Sequence, residues 1–457
     1  MLRIFRHYCS APALFLCACE TVVVALALFA AATVLMPGNA SGRYLAASLV
    51  PALVNAVLMY TMGLYDPPHV ANFRRALPRL AACLCIGAPL LGRTLWVEGT
   101  GERQIAFYLI WTALVIACIV LARMIATPLA RSGIATRRVL VVGAGRLAAE
   151  IETLLAKDSD SKTEVVGYVA LDGQSHEIPQ SRIKPDTGSL LQMARESGAR
   201  EIVVALDDRR GMPLQPLLDA RMEGIAITSY LCFWERETRR VNMMALDPSW
   251  LIYADGFHVT TATNAVLKRA LDIVASLLLL VLTLPTLVLA AIAIKLDSAG
   301  PLLYRQERVG RGGQTFRIYK FRTMQTDAEI ISGPKWATLG DPRVTRVGRF
   351  MRRMRIDELP QILNVLKGEM SFVGPRPERP SFVQSLAAEI PFYAERHRVR
   401  PGITGWAQIN YPYGASIEDA RAKLSYDLYY IKNFSFLFDL LIILSTAKAV
   451  FFDGGGR

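Results

Sequence analysis

Long apolar segments occupy most of the first quarter of the chain. Four of them lie at about 11–36, 44–65, 78–97 and 105–128. Each is close to the ~20 residues that a helix needs to cross a hydrocarbon core of ~30 Å. The pattern therefore predicts a bundle of four transmembrane helices within residues 1–132.

The charges beside these segments set the expected orientation of the bundle. Arginines concentrate before the first segment, between the second and third, and after the fourth: Arg3, Arg6, Arg74, Arg75, Arg79, Arg131, Arg137 and Arg138. Because cytoplasmic loops carry the excess of Lys and Arg, both ends of the bundle are expected on the cytoplasmic side of the membrane.

Short apolar runs alternate with helical patterns in the next part of the chain. Strand-like and helix-like stretches follow one another at 138–142, 147–157, 164–171, about 188–197, and 201–205. Such an alternation is typical of an α/β fold with a parallel sheet. We expect a Rossmann-like α/β domain over residues 137–262.

A glycine-rich turn follows the first of these strands. Gly143 and Gly145 stand between a strand and a helix, as the phosphate-binding turn of a dinucleotide site does. No acidic residue ends the next strand at the usual distance of ~20 residues, since Asp172 comes later, in a turn-like Asp-Gly. The pattern favours a structural, dimer-contact or nucleotide-sensing role over a working NAD site, and Gly143 and Gly145 stay cofactor-binding candidates.

A further apolar stretch, 273–294, is long enough to span a bilayer, but Pro285 interrupts it. Basic residues follow it closely and resist translocation: Lys295, Arg305, Arg308, Arg311, Arg317, Lys320 and Arg322. A helix at about 266–296 that enters the membrane, bends at Pro285 and returns satisfies both observations. An ordinary fifth span is the alternative.

The overall charge agrees with a membrane protein that handles phosphorylated substrates. The chain carries 52 Lys and Arg against 39 Asp and Glu, a net charge of +13. A basic balance suits nucleic acid, an anionic leaflet or phosphates. Because the C-terminal half lacks the usual nucleic-acid-binding signatures, no nucleic-acid partner is expected.

The clearest chemistry lies at Asp357 and Glu358. They follow a basic amphipathic stretch at 349–355, which suits an anionic membrane surface, and precede an apolar-periodic helix at 361–367 with Gly368 as its stop. A carboxylate at a helix start is kept ionised and can act as a nucleophile or bind Mg²⁺. A simple helix cap is the plain alternative.

Five stretches in residues 265–457 carry a family resemblance. They are YRQERVG at 304–310, FRIYKFRTM at 316–324, DELPQ at 357–361, GPRP at 374–377 and RPGITGW at 400–406. This segment resembles the monotopic phosphoglycosyl transferases, the bacterial polyprenyl-phosphate sugar-1-phosphate transferases. The whole layout resembles their long form, which initiates exopolysaccharide and O-antigen assembly: a four-helix transmembrane bundle, a Rossmann-like domain and an α-rich catalytic domain with a re-entrant helix.

The resemblance implies roles for single residues. Asp357 matches the nucleophile that attacks the β-phosphate of a UDP-sugar, releases UMP and then passes the phosphosugar to polyprenyl phosphate. Glu358 matches the second member of this catalytic pair, which helps to bind Mg²⁺ together with Asp357 and assists the acceptor. The remaining matches are substrate-binding candidates: Arg376 with Pro375 and Pro377, Lys268, Arg269 and Asp272 at the base of the re-entrant helix, and Lys320 and Arg322. One departure is Leu284 before Pro285, where small family members have Ser-Pro.

The resemblance also sets the expected partners and the open alternatives. Partners are a UDP-sugar, with glucose or galactose favoured, polyprenyl phosphate, membrane lipids and a second copy of the chain. The same chemistry on a UDP-N-acetylamino sugar is one alternative. The other is a non-catalytic membrane-tethered nucleotide sensor or scaffold.

Overall fold

The computed structural model describes residues 2–4, 7–9, 11–35, 41–65, 76–80, 83, 101–131, 136–157, 163–171, 176–185, 189–257, 262–325, 343–412, 414 and 416–451. The chain forms two compact units. The first comprises Met1–Leu2 and Tyr8–Arg239, and the second comprises Arg3–His7 and Arg240–Arg457. Two three-residue strands, β1 (Leu2–Ile4) and β2 (His7–Cys9), pair near the start of the chain.

Three apolar helices open the first unit: α1 (Ala11–Leu35), α2 (Ser41–Thr61) and α3 (Gly101–Arg131). They lie at the first, second and fourth predicted spans, whereas the third, 78–97, falls largely outside the described residues. Helix α1 packs against both α2 and α3. Within the described residues their shorter apolar stretches are Ala13–Ala27, Ser48–Thr61 and Thr112–Ile125.

A buried ion pair ties these helices together. Arg123 of α3 lies 2.7 Å from Glu20 of α1, Nε to Oε1, and both side chains are almost fully buried. Arg123 also donates to the carbonyl of Leu64, just beyond the end of α2. A charge buried among apolar helices is costly unless it is paired, so each residue stabilises the other.

The second part of this unit is a four-stranded parallel sheet. Its strands are β3 (Arg137–Val142), β4 (Thr163–Val169), β5 (Glu201–Val204) and β6 (Ala226–Ser229), in the order β4-β3-β5-β6. Helices α4 (Arg146–Lys157), α5 (Leu190–Glu196), α6 (Leu214–Met222) and α7 (Tyr230–Thr238) connect or follow them. The predicted α/β pattern with a parallel sheet is confirmed, although β4 ends two residues before the expected Leu171.

The second unit is built mainly from helices. They are α8 (Pro248–Tyr253), α9 (Ala262–Asp297), α10 (Arg346–Arg353), α11 (Ile362–Lys367), α12 (Pro380–Glu389), α13 (Trp406–Asn410), α14 (Ile417–Lys432) and α15 (Phe436–Phe451). Strands β7 (Leu303–Val309) and β8 (Thr315–Phe321) form an antiparallel hairpin, and β9 (Ser371–Val373) pairs in parallel with β10 (Gly402–Thr404).

Helix α9 is the long apolar helix that the sequence predicts, and it remains helical through Pro285. Among the described residues, only its span Thr263–Asp297 is long and apolar enough to cross a membrane. Apolar side chains in its middle, including Leu278, Val281 and Leu282, are exposed. A surface of this kind suits lipid rather than water.

Both ends of α9 pack on the same unit. Near its start, Asp272 is fully buried and accepts a 2.8 Å hydrogen bond from Ser371 of β9. Near its end, Ala290 and Ile294 join an apolar cluster with Phe321 of β8 and Met351 of α10. The exposed middle therefore projects between two anchored ends.

Candidate functional site

Asp357 and Glu358 lie in a short 3-10 helix, Ile356–Gln361, between α10 and α11. Arg355, the residue before this helix, takes a left-handed conformation with φ 56°, which turns the chain sharply after α10. The two carboxylates thus stand in the first turn of a helix, as the sequence predicts, and Gly368 ends α11 in the left-handed conformation. Both carboxylates are buried.

Glu358 is surrounded by cations. Its Oε1 accepts a 2.9 Å hydrogen bond from Lys320 Nζ and a 2.8 Å bond from Arg376 Nη2, while Arg355 lies 3.9 Å from Oε2. Burial alone raises the pKa of Glu358, but Arg376, Lys320 and Arg355 outweigh it and hold the pKa well below its usual value. Glu358 is therefore a fixed anion that organises the site.

Asp357 differs from Glu358 in its hydrogen bonding and in the direction of its pKa shift. Its Oδ1 is buried and has no hydrogen-bond partner among the described residues. Burial and the nearby charge of Glu358 raise the pKa of Asp357, against the opposing effect of Lys320, Arg352 and Arg355. A buried, unpartnered carboxylate oxygen is an acceptor that a ligand or a reacting atom would satisfy.

Arg352 and Arg355, which belong to the basic stretch at 349–355, complete the positive surroundings of Asp357. Arg352 Nε donates a 2.9 Å hydrogen bond to Thr323 Oγ1, beside the end of β8. Gly348 permits this approach, because a Cβ there would collide with the Thr323 carbonyl. Their positions in the sequence were a signal, since Arg355 stands two residues before Asp357, within one helical turn, and Arg352 five residues before it.

Arg376 reaches Glu358 from the Pro-Arg-Pro turn after β9. The ladder of β9 and β10 matches Ser371 to Gly402 and Val373 to Thr404. A Cβ on Gly374 or Gly402 would collide with the facing backbone, so glycine is required for this close pairing. Pro375 and Pro377 flank Arg376 and restrict the backbone on either side of it.

Lys268 and Asp272 join a buried polar cluster at the base of α9. Lys268 Nζ lies 2.6 Å from Asp439 of α15 and donates a 2.9 Å bond to the Val373 carbonyl. Tyr430 donates a 2.8 Å bond to Asp439. These contacts fasten α9 and α15 to β9, the strand that leads into the Pro-Arg-Pro turn.

Arg269 and Arg322, two of the predicted substrate-binding residues, bind backbone carbonyls in the structure. Arg269 donates 2.6 Å bonds to the carbonyls of Val365 and Leu366 at the end of α11. Arg322 donates to the carbonyls of Ser298 and Ala299, just past the end of α9. Lys320 and Arg376 thus contact the Glu358 carboxylate, whereas Arg269 and Arg322 contact carbonyls at helix ends.

Close backbone packing explains the glycine at position 143 in the glycine-rich turn of the first unit. Gly143 has φ 117°, and a Cβ there would collide with the Ala205 carbonyl just after β5. Its amide donates a 2.8 Å bond to the Val169 carbonyl, and Gly145 directly precedes α4. Close packing of three strand ends therefore requires glycine at 143 without any nucleotide.

A metal at the site would depend on few protein ligands. Among the described residues, no group of three or more His, Cys, Asp or Glu could hold a metal ion. Mg²⁺ often takes only one or two carboxylates and completes its shell with substrate phosphates and water. The unpartnered Oδ1 of Asp357, next to Glu358, fits a shared site of that kind.

Comparisons with known proteins agree on one family. The family described as bacterial sugar transferase matches residues 263–453. An undecaprenyl-phosphate glucose phosphotransferase from Komagataeibacter xylinus is 32% identical over 441 residues, which cover 91% of this chain and 79% of that protein. The chain belongs to the bacterial sugar transferases, the polyprenyl-phosphate sugar-1-phosphate transferases.

Two further relatives carry different sugar names. A UDP-N-acetylgalactosamine-undecaprenyl-phosphate N-acetylgalactosaminephosphotransferase from Aeromonas hydrophila is 42% identical over 274 residues, 60% of this chain and 62% of that protein. A UDP-glucose:undecaprenyl-phosphate glucose-1-phosphate transferase from Caulobacter vibrioides is 48% identical over 187 residues, 40% of this chain and 69% of that protein. The match to the Aeromonas protein thus spans less than two thirds of its length.

Proposed function

We propose that the chain transfers hexose-1-phosphate from a UDP-sugar to polyprenyl (undecaprenyl) phosphate, with release of UMP, as the first membrane step of exopolysaccharide or O-antigen synthesis. The observation that carries this proposal is the contrast between the two carboxylates. Glu358 is committed to Lys320 and Arg376, whereas the buried Oδ1 of Asp357 has no partner among the described residues. Asp357 is therefore the nucleophile.

The reaction runs as two displacements at one phosphorus. A carboxylate oxygen of Asp357 attacks the β-phosphorus of the UDP-sugar, the anhydride bond to the α-phosphate breaks, and UMP leaves with the bridging oxygen. An oxygen of polyprenyl phosphate then attacks the same phosphorus and regenerates the Asp357 carboxylate. Splitting a difficult displacement into two easier ones is the advantage of covalent catalysis.

Charge at the site supports this sequence of steps. An anionic nucleophile must approach an anionic diphosphate, so cations have to offset the repulsion. Arg352 and Arg355 act electrostatically on Asp357, and Arg376 holds Glu358 at 2.8 Å. Guanidinium groups bind phosphate oxygens in a fork, which suits them to the donor diphosphate and the acceptor phosphate.

Mg²⁺ is proposed as the cofactor. The Asp357 and Glu358 carboxylates would hold it together with the donor diphosphate, which fits the unpartnered Oδ1 of Asp357. When bound, Mg²⁺ neutralises diphosphate charge as the phosphorus is transferred.

The site belongs at the membrane surface. Helix α9 has an exposed apolar middle and two ends anchored on one unit, which supports a re-entrant helix rather than a crossing one. Phe350 and Met354 are exposed beside the arginines of α10, as a helix at an anionic leaflet requires. A water-soluble UDP-sugar and a lipid-borne phosphate would meet here on the cytoplasmic face of the inner membrane.

The remaining organisation is proposed as the sequence predicts it. A multi-pass bundle over residues 1–132 anchors a Rossmann-like domain over 137–262 and a catalytic domain over 265–457, with a homodimer as the assembly. The order of α1, α2, α3 and the parallel sheet supports this layout, while the first compact unit ends at Arg239, before the predicted boundary at 262. The proposed bundle requires the segment 78–97 as its third span.

The sugar is proposed as glucose or galactose, with an N-acetylamino sugar as the alternative. The relatives from Komagataeibacter and Caulobacter are named for glucose, and the Aeromonas relative is named for N-acetylgalactosamine. UMP release from UDP-glucose, UDP-galactose, UDP-N-acetylglucosamine and UDP-N-acetylgalactosamine, with undecaprenyl phosphate and Mg²⁺, separates the alternatives. Release of no UMP from any donor, or full activity in Asp357→Asn, would reject the transferase proposal.

A further inference from the structure

The Pro-Arg-Pro turn is held through its carbonyl groups. Pro375 and Pro377 lack a backbone N–H, so these two residues offer only carbonyls as hydrogen-bonding groups. Four consecutive carbonyls each accept a bond, and the donors come from three other segments of the chain. Pro375 accepts from the Gly402 amide at 2.9 Å, Arg376 from Arg396 Nη2 at 3.0 Å, Pro377 from Arg308 Nη1 at 3.0 Å, and Glu378 from the Val309 amide at 2.9 Å.

Arg396 donates to the backbone of Arg376, the residue of the turn whose side chain reaches Glu358. Its guanidinium binds the carbonyl of Arg376, while the side chain of Arg376 donates to Glu358 at 2.8 Å. Pro375 and Pro377 each have a fixed φ, and Pro377 also restricts the backbone of Arg376 before it. Holding that one carbonyl therefore sets the direction in which the Arg376 side chain leaves the turn.

Arg396 is itself fixed by a buried network. It lies in the 3-10 helix Tyr393–Arg398 with only 6% of its surface exposed. Nη1 donates a 2.6 Å bond to the Tyr393 hydroxyl, and Nη2 lies 2.9 Å from Oδ2 of Asp427 on α14. Asp427 is also buried, so the pair is shielded from solvent.

A buried ion pair of this kind contributes little net stability to a fold. Replacing such a pair by apolar residues of similar volume is often neutral or stabilising, because desolvation offsets the attraction. An apolar side chain at 396 would, however, leave the Arg376 carbonyl without its donor. The hydrogen bond to the Arg376 carbonyl therefore explains why an arginine stands at position 396.

We propose that Arg396, with Asp427 as its counter-ion, is a positioning residue that directs Arg376 toward Glu358. It does not touch the reacting groups. This inference rests on the proposed function, because its effect is read through the transferase reaction. Loss of Arg396 lets the turn move, and a displacement of ~1 Å in a positioning group costs up to about 100-fold in rate.

The test is a double-mutant cycle on the full-length chain in membranes. The variants are Arg396→Gln, Arg376→Ala and their combination, and the matched control is Arg398→Gln, whose side chain is 72% exposed and pairs with Glu395. The readout is kcat for UMP release at saturating UDP-sugar and undecaprenyl phosphate, together with the melting temperature of each purified variant. Arg396→Lys keeps the charge but lacks the fork, and it replaces Arg396→Gln in the cycle if that variant does not fold.

The inference predicts a specific pattern of rates. Arg396→Gln lowers kcat about 10- to 100-fold, Arg398→Gln stays within about twofold of wild type, and the double variant is no slower than Arg376→Ala. If Arg396→Gln matches the control, or if the two losses multiply, Arg396 does not act through Arg376. A wild-type chain that releases no UMP rejects the proposed function itself, which is a separate result.

Discussion

Arg376 donates a 2.8 Å hydrogen bond to Glu358, and these two residues come from different segments that the fold brings together. Lys320 of β8 binds the same carboxylate oxygen at 2.9 Å. With two cations on one oxygen, Glu358 stays ionised, and burial together with this neighbouring charge raises the pKa of Asp357. The two adjacent carboxylates therefore do different work in the same site.

The pH dependence of activity follows from this arrangement. Asp357 must be ionised to attack, and its pKa is raised, so activity should fall on acidification at a pH above the range of an ordinary aspartate. Replacing Glu358 with Gln removes a negative neighbour and should move the acid limb of the residual activity to lower pH. The pH profile of kcat/KM for UMP release in both proteins checks this, and an acid limb that moves upward would contradict it.

Ionisation of Glu358 should stabilise the fold of the second unit. The folded pKa of this group lies well below its unfolded value, so its ionisation stabilises the fold above pH ~4.5 and this contribution is lost as pH falls through the folded pKa. Glu358→Gln should thus lower the melting temperature at pH 7 more than at pH 4. A difference that grows on acidification would rule out this assignment.

Lys320 should be required for activity, whereas Lys367, which bonds the neighbouring Tyr319, should not. Lys320→Gln leaves Glu358 with less compensating charge, and we expect kcat/KM for UMP release to fall by about 10- to 100-fold, the loss of roughly 1.4–3 kcal/mol for a charge-assisted hydrogen bond. Lys367→Gln is the control, because Lys367 is exposed and bonds only the Tyr319 hydroxyl among the contacts described. Equal effects of the two variants would argue against a role for Lys320 in the site.

The Glu20–Arg123 pair should behave as one unit. Removing one partner leaves a charge buried among apolar helices and should destabilise the folded chain by about 3–5 kcal/mol. Glu20→Gln and Arg123→Met should each lower the melting temperature in detergent strongly, and the double variant should recover part of the loss. Additive losses would mean that the two side chains do not depend on each other.

The re-entrant path of α9 can be tested at the hairpin that follows it. Gln314 is exposed at the turn between β7 and β8. In a chain without other reactive cysteines, Gln314→Cys should resist a membrane-impermeant thiol reagent in intact cells and react after permeabilisation. Reaction in intact cells would show that α9 crosses the membrane.

Local features of the fold were predictable because they depend on neighbours in sequence. The apolar periodicity before Gly368 predicts α11, and a left-handed glycine ends it as expected. The strand-and-helix alternation after Arg137 predicts the parallel sheet. The end of β4 could not be predicted, since apolar residues continue past Val169, where pairing with β3 stops.

The partners of charged side chains could not be read from the sequence. Lys320 meets Glu358 across 38 residues and Arg123 meets Glu20 across 103, and nothing local links either pair. Arg269 and Arg322 are predicted to bind substrate, and their carbonyl partners at helix ends could not be foreseen from the sequence. A basic residue near a motif predicts positive charge but not which acceptor it reaches.

The covalent role of Asp357 is the central claim, and intact-mass measurement of the protein tests it most directly. The purified chain is mixed with UDP-sugar and Mg²⁺ without polyprenyl phosphate, and the protein mass is recorded after rapid quenching. The account predicts that wild type gains one phosphosugar unit, which undecaprenyl phosphate then removes, and that Asp357→Asn gains none. An adduct that persists in Asp357→Asn, or turnover by wild type without any adduct, would contradict it.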